Sequence, residues 1–215
     1  MVQLCQLTSY SSSFQWSSLK ETTEDGTEVC LYAFVGTSTV ENNRLMHLKI
    51  FVPAATRLID TTEHDIHEAP KPFALKRIQL ESQVPQDAEV LRARCNPLKS
   101  SLVASKCSGA YCALNLYDFT EGGSSTPVVR LEGHTAEGYG LDWNKQKPSY
   151  LASGSSDGKI CVWDVASSKE TDSSLEPIVE YEFHGGCVED VGWSKFNPNV
   201  LASSGQDRLV AMYLQ

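Results

Sequence analysis

The feature that most constrains the fold of this chain is a sequence unit that recurs at a spacing of 50 residues. Trp143 and Trp193 are 50 positions apart, and so are the segments 151–153 and 201–203, which both read Leu-Ala-Ser. A weaker third copy, Val-Ala-Ser at 103–105, lies 48 residues before the first of these segments. A period of about 40 to 50 residues is typical of arrays of structural units that bury their cores against one another.

The two stronger units also share a set of polar and aromatic residues. In each unit a His precedes an Asp by 23 residues, and an aromatic residue follows that Asp after 6 residues. With a nearby Ser, the set is His134, Ser153 (or Ser155), Asp157 and Trp163 in one unit and His184, Ser203, Asp207 and Tyr213 in the other. A Ser-His-Asp triad of a hydrolase is one interpretation of such a set. Because the set recurs, it is predicted to be structural.

Each unit is predicted to consist of short β-strands. The β-branched and aromatic runs lie at 140–143, 150–153, 159–164 and 179–183, separated by Asn-, Ser-, Asp- and Gly-containing turn signals. Asp157-Gly158 between two such runs is a strong signal for a tight hairpin. Long helical periodicity is absent, so the fold class is predicted to be all-β.

The N-terminal third is predicted to fit the same scheme. Its candidate strands are 14–19, 28–37, 44–52 and 72–80, with a polar loop at 53–71. The repeats are therefore placed at 14–80, 88–131, 138–183 and 188–215, the last one incomplete. His64 and His67, among the acids of the loop, are metal-capable, but a solvated acidic loop is the favoured interpretation, and no metal site or cofactor is predicted.

The units resemble WD repeats. The resemblance rests on Gly133-His134 and on the segment 151–164, which reads Leu-Ala-Ser-Gly-Ser-Ser-Asp-Gly-Lys-Ile-Cys-Val-Trp-Asp. It implies a β-propeller, with His, Ser, Asp and Trp forming a buried hydrogen-bond relay. Residues 1–215 would be a single partial propeller of about three and a half blades out of seven, an incomplete ring. An open ring exposes two apolar sheet faces and an unpaired edge, so the chain is expected to be a fragment, a truncated product or half of an assembly.

More narrowly, several segments resemble the histone-binding, Msi-type (retinoblastoma-binding) WD-repeat family. They are 14–19, 31–53, 89–94, 133–144 and 188–193. A sister group, the glutamate-rich WD proteins of ribosome assembly, shares the Gly-His-x-x-Glu-Gly-Tyr stretch at 133–139. The resemblance to the first family implies a scaffold subunit of chromatin assembly or modifying complexes, in the nucleus and possibly also the cytoplasm. A ribosome-assembly chaperone and a non-functional truncation remain alternatives.

The family resemblance also implies a partner-binding site near the starts of the inner strands. The residues assigned to it are Glu89, Arg92, Glu137, Tyr139 and Glu189. Carboxylates converging there would hold a basic histone tail, with Tyr139 as an aromatic wall. A generic solvated rim is the other interpretation. One departure is Leu91, where the family tends to carry Asn.

Composition limits the remaining function classes. The net charge of −9 argues against direct nucleic-acid binding and fits a basic partner, although acidity can also serve solubility alone. No stretch approaches the roughly 20 apolar residues of a membrane span. The seven cysteines are scattered, without a C-x-x-C pair, which indicates reduced thiols in an intracellular protein. No arrangement of residues suggests an enzyme.

Overall fold

The computed structural model describes residues 10–39, 41–54, 78–109, 114–120, 126–168 and 173–215. These residues form sixteen β-strands in four sheets, and the described part of the chain contains no α-helix, only a 3-10 turn at Val165–Ser167. The prediction of an all-β chain is therefore confirmed. None of the described segments is a helix of the length and apolar character that crossing a membrane requires.

The first sheet is an antiparallel meander of four strands in sequence order. Its strands are β1 (Tyr10–Thr22), β2 (Glu28–Ser38), β3 (Arg44–Pro53) and β4 (Ile78–Pro85). The strand predicted at 72–80 overlaps β4 at 78–80, and residues 72–77 lie outside the described residues. β4 continues beyond the prediction to Pro85, so that Leu45 pairs with Val84 and both side chains enter the core. Residues 55–77, with most of the predicted polar loop and His64 and His67, lie outside the described residues.

The later part of the chain forms three more sheets. The second contains β5 (Val90–Cys95), β6 (Leu102–Cys107), β7 (Leu114–Asp118) and β8 (Val129–Leu131). The third contains β9 (Gly140–Trp143), β10 (Tyr150–Gly154), β11 (Lys159–Asp164) and β13 (Val179–Glu182), and the fourth contains β14 (Val188–Trp193), β15 (Val200–Gly205) and β16 (Val210–Leu214). The strand that starts each of these three sheets, β5, β9 or β14, is called its inner strand below.

A short strand that the sequence did not predict ties the second sheet to the third. β12 (Ser174–Leu175) comes from the connection between β11 and β13, yet it pairs in parallel with β8 of the preceding sheet. The Arg130 amide donates to the Ser173 carbonyl and the Glu132 amide donates to the Leu175 carbonyl, each at 3.0 Å. The connection therefore covers the outer edge of the second sheet and satisfies its backbone donors.

Three layers of the hydrophobic core lie between successive sheets, and a fourth, smaller cluster of Val35, Met46 and Leu48 belongs to the first sheet. In each layer, aliphatic side chains from the later strands of one sheet contact the inner strand and its neighbour in the next sheet. The main contributors are Phe34, Leu45, Val84, Val90 and Ala93 in the first layer, Leu114, Leu116, Leu141, Trp143 and Trp163 in the second, and Ile160, Val162, Val188, Val191 and Leu201 in the third. Each sheet therefore has an incoming face toward its predecessor and an outgoing face toward its successor.

Polar contacts repeat at the ends of the inner strands and fix the spacing of the sheets. The Asn96 amide donates to the Pro148 carbonyl of the next sheet at 2.6 Å, and the Asn144 amide donates to the Pro198 carbonyl at 2.7 Å. The Oδ1 atoms of both asparagines accept from backbone amides of their own turns. One side chain thus closes a turn and holds the next sheet.

Candidate functional site

The predicted partner-binding residues lie where the inner strands begin, and a β-bulge marks that position in two sheets. In β5, Val90 pairs with Cys107 and Arg92 with Lys106, which leaves Leu91 as the extra residue. In β14, Val188 pairs with Gly205 and Asp190 with Ser204, which leaves Glu189 as the extra residue. A bulge changes the direction of a side chain at a strand end. Leu91 and Glu189 therefore lie at the edge of the sheets where the inner strands begin, which is called the rim below.

The predicted residues Glu137 and Glu189 lie near the starts of two inner strands, β9 and β14, at different repeat positions. Glu137 is 50 residues before Cys187, and Tyr139 is 50 residues before Glu189. The bulge residue of the fourth sheet thus corresponds to Tyr139 in the third. Glu137 and Glu189 are both exposed, so two successive repeats each place one carboxylate at the rim.

Arg92 and Tyr139 are in direct contact across two sheets. The Arg92 Nε atom donates to the Tyr139 carbonyl oxygen at 2.9 Å, and the Tyr139 side chain remains 46% exposed. This contact fixes the backbone immediately before β9 and leaves the aromatic ring in solvent. Arg92 therefore acts on the position of Tyr139, in addition to carrying charge at the rim.

The backbone around Glu137 is held equally firmly. Its carbonyl accepts from the Ser155 hydroxyl at 2.9 Å and from the Ser156 amide at 2.8 Å, while its Oε2 accepts from the Gly109 amide at 2.9 Å. One carboxylate oxygen is thus engaged within the chain. Glu89, which occupies the same repeat position in the second sheet, is only half-exposed.

Charged residues further along the inner strands were missed by the sequence reasoning. Burial and the nearby Arg92 lower the pKa of Arg94, while Asp142 and Asp190 act in the opposite direction, so all four charges influence one another. Burial raises the pKa of Asp142, although its Oδ2 accepts from the Trp193 amide at 2.8 Å. The sequence contained a signal for these residues, because charged side chains interrupt the apolar ones along β5, β9 and β14.

These charges are segregated between sheets. The second sheet contributes the arginines, and the third and fourth contribute Asp142, Asp190 and Glu189. The inner strands of the second and third sheets therefore carry side chains of opposite charge.

The His134 cluster joins two loops behind this rim. His134 Nε2 lies 2.5 Å from the Ser153 Oγ, and His134 Nδ1 lies 3.1 Å from an Asp157 carboxylate oxygen. The Thr135 and Lys159 amides also donate to Asp157, at 2.8 and 2.9 Å. The carboxylate thereby ties the loop that leads into β9 to the β10–β11 turn.

Electrostatics show that the cluster carries a neutral imidazole and a charged carboxylate. Burial, aided by the positive charge of Lys106, lowers the pKa of His134 despite its bond to Asp157. Burial alone would raise the pKa of Asp157, but the His134 side chain and the two backbone amides outweigh it and hold that pKa far below its usual range. Because Ser153 is fully buried and the His134 side chain is 2% exposed, a substrate has no access to this Ser-His-Asp arrangement.

The fourth sheet repeats the cluster with a different fourth member. His184 Nε2 lies 2.7 Å from the Ser203 Oγ, which in turn lies 3.2 Å from the Tyr213 hydroxyl. The four-member relay predicted for the third sheet is wrong in one respect, because the buried Trp163 Nε1 has no hydrogen-bond partner. Its ring instead packs edge-on against His134, with centroids 5.8 Å apart.

Two of the cysteines are buried thiols of low reactivity. Burial raises the pKa of Cys107 to about 11 and that of Cys161 to about 12, so both thiols are protonated near neutral pH. Within the described ranges, no three His, Cys, Asp or Glu side chains are grouped so as to hold a metal ion.

Comparisons with known proteins identify the repeat. The family described as WD domain, G-beta repeat matches residues 125–164. The WD-40 repeat-containing protein MSI3 of Arabidopsis thaliana is 43% identical over 106 residues, which are 47% of this chain and 25% of that protein. Histone acetyltransferase type B subunit 2 of Schizosaccharomyces pombe is 32% identical over 182 residues, 78% of this chain and 40% of that protein.

A solved structure agrees on the fold. A chain from the crystal structure of the mitotic checkpoint complex superposes on 98% of this chain with a TM-score of 0.58 and 19% identity, and the match covers 51% of that chain. The present chain thus spans less than half the length of its two curated relatives and matches about half of the solved chain. The predicted propeller architecture, as an open array of sheets, is confirmed. The chain belongs to the WD-repeat β-propeller proteins, in their Msi-type family.

Proposed function

We propose that this chain is a histone-binding, non-catalytic WD-repeat scaffold of chromatin assembly or modifying complexes. It holds a basic histone tail on the rim formed by Glu89, Arg92, Glu137, Tyr139 and Glu189. The observation that carries the proposal is the half-exposed ring of Tyr139, whose backbone carbonyl Arg92 holds, at a rim that also carries the exposed carboxylates of Glu137 and Glu189.

The chemistry of this rim suits a Lys- and Arg-rich extended peptide. Carboxylates accept charge-assisted hydrogen bonds from both cations, and an Arg guanidinium can bind one carboxylate with two donors. An exposed aromatic ring adds apolar contact to the methylene groups of such side chains, and its face attracts their cationic ends. The negative net charge of the chain speeds the approach of a cationic partner.

The relatives support the class of partner. One of them is named as a subunit of a histone acetyltransferase, and the other is named as a WD-40 repeat-containing protein. Neither name describes a free-standing enzyme. Histone-modifying complexes work chiefly in the nucleus, so we place the chain there, with cytoplasmic residence also compatible. Other subunits of the same complexes are its further partners, without direct contact to nucleic acid or membrane.

The proposal is tested by titrating a fluorescent peptide of an unmodified, Lys/Arg-rich histone tail into the full chain. We expect saturable binding that weakens steeply as salt rises from about 50 to 300 mM, because the Debye length shortens as the ionic strength rises. Glu137→Lys with Glu189→Lys should abolish it. Glu24→Lys with Glu176→Lys is the matched control, because both residues are exposed, lie away from this rim and change the net charge equally.

Two results would overturn the assignment. Tail binding that survives the rim variant but not the control would move the site elsewhere on the chain. A basic extension from a ribosomal protein that binds more tightly than the histone tail, with the same dependence on Glu137 and Glu189, would instead favour the ribosome-assembly alternative.

A further inference from the structure

Lys106 is a charged residue to which the tail-binding rim assigns no role. It lies on β6 of the second sheet, and its side chain is completely buried. Moving an ammonium group out of water is costly unless polar partners bind it. The Lys106 Nζ atom donates to the Gly154 carbonyl oxygen of β10 at 2.5 Å. The charge is therefore placed on one particular backbone atom of the third sheet.

This buried cation is a feature of the second sheet and not of the repeat. Lys106 pairs directly with Arg92 of the inner strand, and the same pair position holds Gly154 in the third sheet and Ser204 in the fourth. Like charges directly opposite each other on neighbouring strands repel, which destabilises the pair. An unfavourable pair that is present in one repeat and replaced in the next two is explained by what its members contact.

Both cations of this pair reach the backbone around the start of β9. The Arg92 Nε atom donates to the Tyr139 carbonyl oxygen at 2.9 Å, and Lys106 donates to the Gly154 carbonyl oxygen. The Gly154 oxygen lies directly beside Gly138, since a Cβ atom added to that glycine would come within 2.7 Å of the oxygen. Lys106 therefore fixes the backbone against which the residue before Tyr139 packs.

The residue after Gly154 supports the same segment. The Ser155 hydroxyl donates to the Glu137 carbonyl oxygen at 2.9 Å, and the Ser155 Cα atom would lie 2.6 Å from a Cβ atom at Gly138. The backbone at 154–155 is thus a platform for the segment 137–139, and Lys106 holds this platform from the second sheet.

We propose that Lys106 is a positioning residue of the tail-binding rim, whose buried ammonium group holds the Gly154 carbonyl and so keeps the segment 137–139 in the conformation that presents Glu137 and Tyr139. Lys106 does not touch the tail, because its side chain is buried. A segment that is already held in its binding conformation loses less entropy when the partner binds. This inference rests on the proposed tail-binding function.

The sign of the expected effect separates positioning from long-range electrostatics. Lys106→Met keeps an unbranched apolar stem and removes one positive charge, so charge alone would tighten the binding of a cationic tail. Loss of positioning predicts the reverse, about 10-fold weaker binding of the fluorescent histone-tail peptide at constant salt. Lys195→Met is the matched control, because Lys195 is exposed in the β14–β15 turn at the other end of the inner strands. It should leave the affinity within about twofold of the wild type.

Two further measurements distinguish positioning from a general loss of stability. Backbone hydrogen exchange at 137–140 should be faster in Lys106→Met than in the wild type and Lys195→Met, with exchange in β15 unchanged. In a Tyr139→Ala background, Lys106→Met should change the tail affinity much less than in the wild type, because the ring that it positions is gone.

The outcomes separate this inference from the function on which it rests. A Lys106→Met chain that binds the tail as tightly as the wild type would overturn the positioning role, and so would an equal effect with and without the Tyr139 ring. A wild-type chain that does not bind the tail would overturn the proposed function, and hydrogen exchange at 137–140 would still decide whether Lys106 holds this segment. Should Lys106→Met not unfold cooperatively in urea, Lys106→Gln, which keeps a donor on a shorter stem, takes its place with the same expected direction.

Discussion

The third and fourth sheets contain the same His-Ser-Asp network, but the aromatic side chain beside it has a different role in each. In the third sheet Trp163 is completely buried, and its indole N–H makes no hydrogen bond. In the fourth sheet Tyr213 is half-buried and its hydroxyl interacts with Ser203. Trp163 therefore stabilises its sheet through apolar packing, whereas Tyr213 adds a polar link to Ser203.

The comparison also separates what the repeated sequence determines from what the neighbours determine. The His–Asp and His–Ser distances differ by only a few tenths of an ångström between the two sheets. The side chain of Asp157 is 6% exposed, however, and that of Asp207 is 14% exposed. The same bonds should therefore contribute more to stability in the third sheet, because less water competes for them.

The largest expected effect on the free energy of unfolding is at Trp163 and Tyr213, the aromatic residues beside the two networks. Trp163→Ala should lower the free energy of unfolding by about 3–5 kcal/mol, since it leaves a large cavity between the second and third sheets. Tyr213→Ala should cost roughly half as much or less, because that ring is partly in solvent. Urea denaturation followed by circular dichroism measures both. Equal losses would show that enclosure by neighbouring sheets does not set the contribution of the ring.

The second-largest expected effect on stability is at the carboxylates of Asp157 and Asp207. Asp157→Ala should destabilise the chain by about 2–3 kcal/mol, because it leaves a buried imidazole and two backbone amides without an acceptor. Asp207→Ala is the matched change in the more open sheet and should cost less. Thermal unfolding of both variants at pH 7.5 compares them. A larger loss from Asp207→Ala would contradict the ranking by burial.

The effect of a His134 substitution on the pH dependence of stability tests the third-sheet network, since burial also lowers the pKa of His47 and adds to the total slope. The folded pKa of His134 lies below its unfolded value of about 6.5, so the unfolded chain binds a proton first as the pH falls. Stability should therefore decrease below about pH 6.5, by up to roughly 1.4 kcal/mol per pH unit. Asp157 acts in the same sense at lower pH, since its folded pKa is also depressed. His134→Asn should reduce this slope relative to the wild type between pH 7.5 and 5.5; an unchanged slope would assign it to other groups.

The smallest expected effect is the loss of one hydroxyl. Tyr213→Phe should cost about 0.5–1.5 kcal/mol, the usual contribution of one hydrogen bond. Trp163→Phe breaks no hydrogen bond, so its cost should follow the lost ring volume alone. Denaturant unfolding of the two variants, with a Tyr213→Trp variant for comparison, tests whether the hydroxyl contributes. A Tyr213→Phe chain as stable as the wild type would remove Ser203 from the partners of this residue.

Much of the architecture could be predicted from spacing and alternation. The strands Gly140–Trp143 and Lys159–Asp164 were predicted with their observed ends, because turn residues and alternating side chains mark both limits. The parallel strand Ser174–Leu175 was not, since two residues carry no pattern and its pairing depends on a neighbouring sheet. The unpaired N–H of Trp163 likewise depends on tertiary packing and not on the repeat.

The site was predicted less completely than the fold, and the β-bulges explain why. A bulge adds one residue to a strand and redirects a side chain, and the sequence around Leu91 and Glu189 carries no signal for it. The close packing between sheets could not be predicted from the sequence either. Gly36 and Gly154 leave room for Val90 and Val188 of the following sheets, and a Cβ atom at either glycine would overlap the valine. Such complementarity is visible only once the sheets are assembled.

Photo-crosslinking of the histone tail to the full chain tests the central claim most directly. That claim is that equivalent repeat positions bring one binding rim together from separate sheets. A benzophenone placed near the middle of the tail peptide should crosslink to residues 137–140 and 188–190, at the starts of β9 and β14. Crosslinks confined to 144–149 and 194–199, the turns at the other end of these strands, would contradict it.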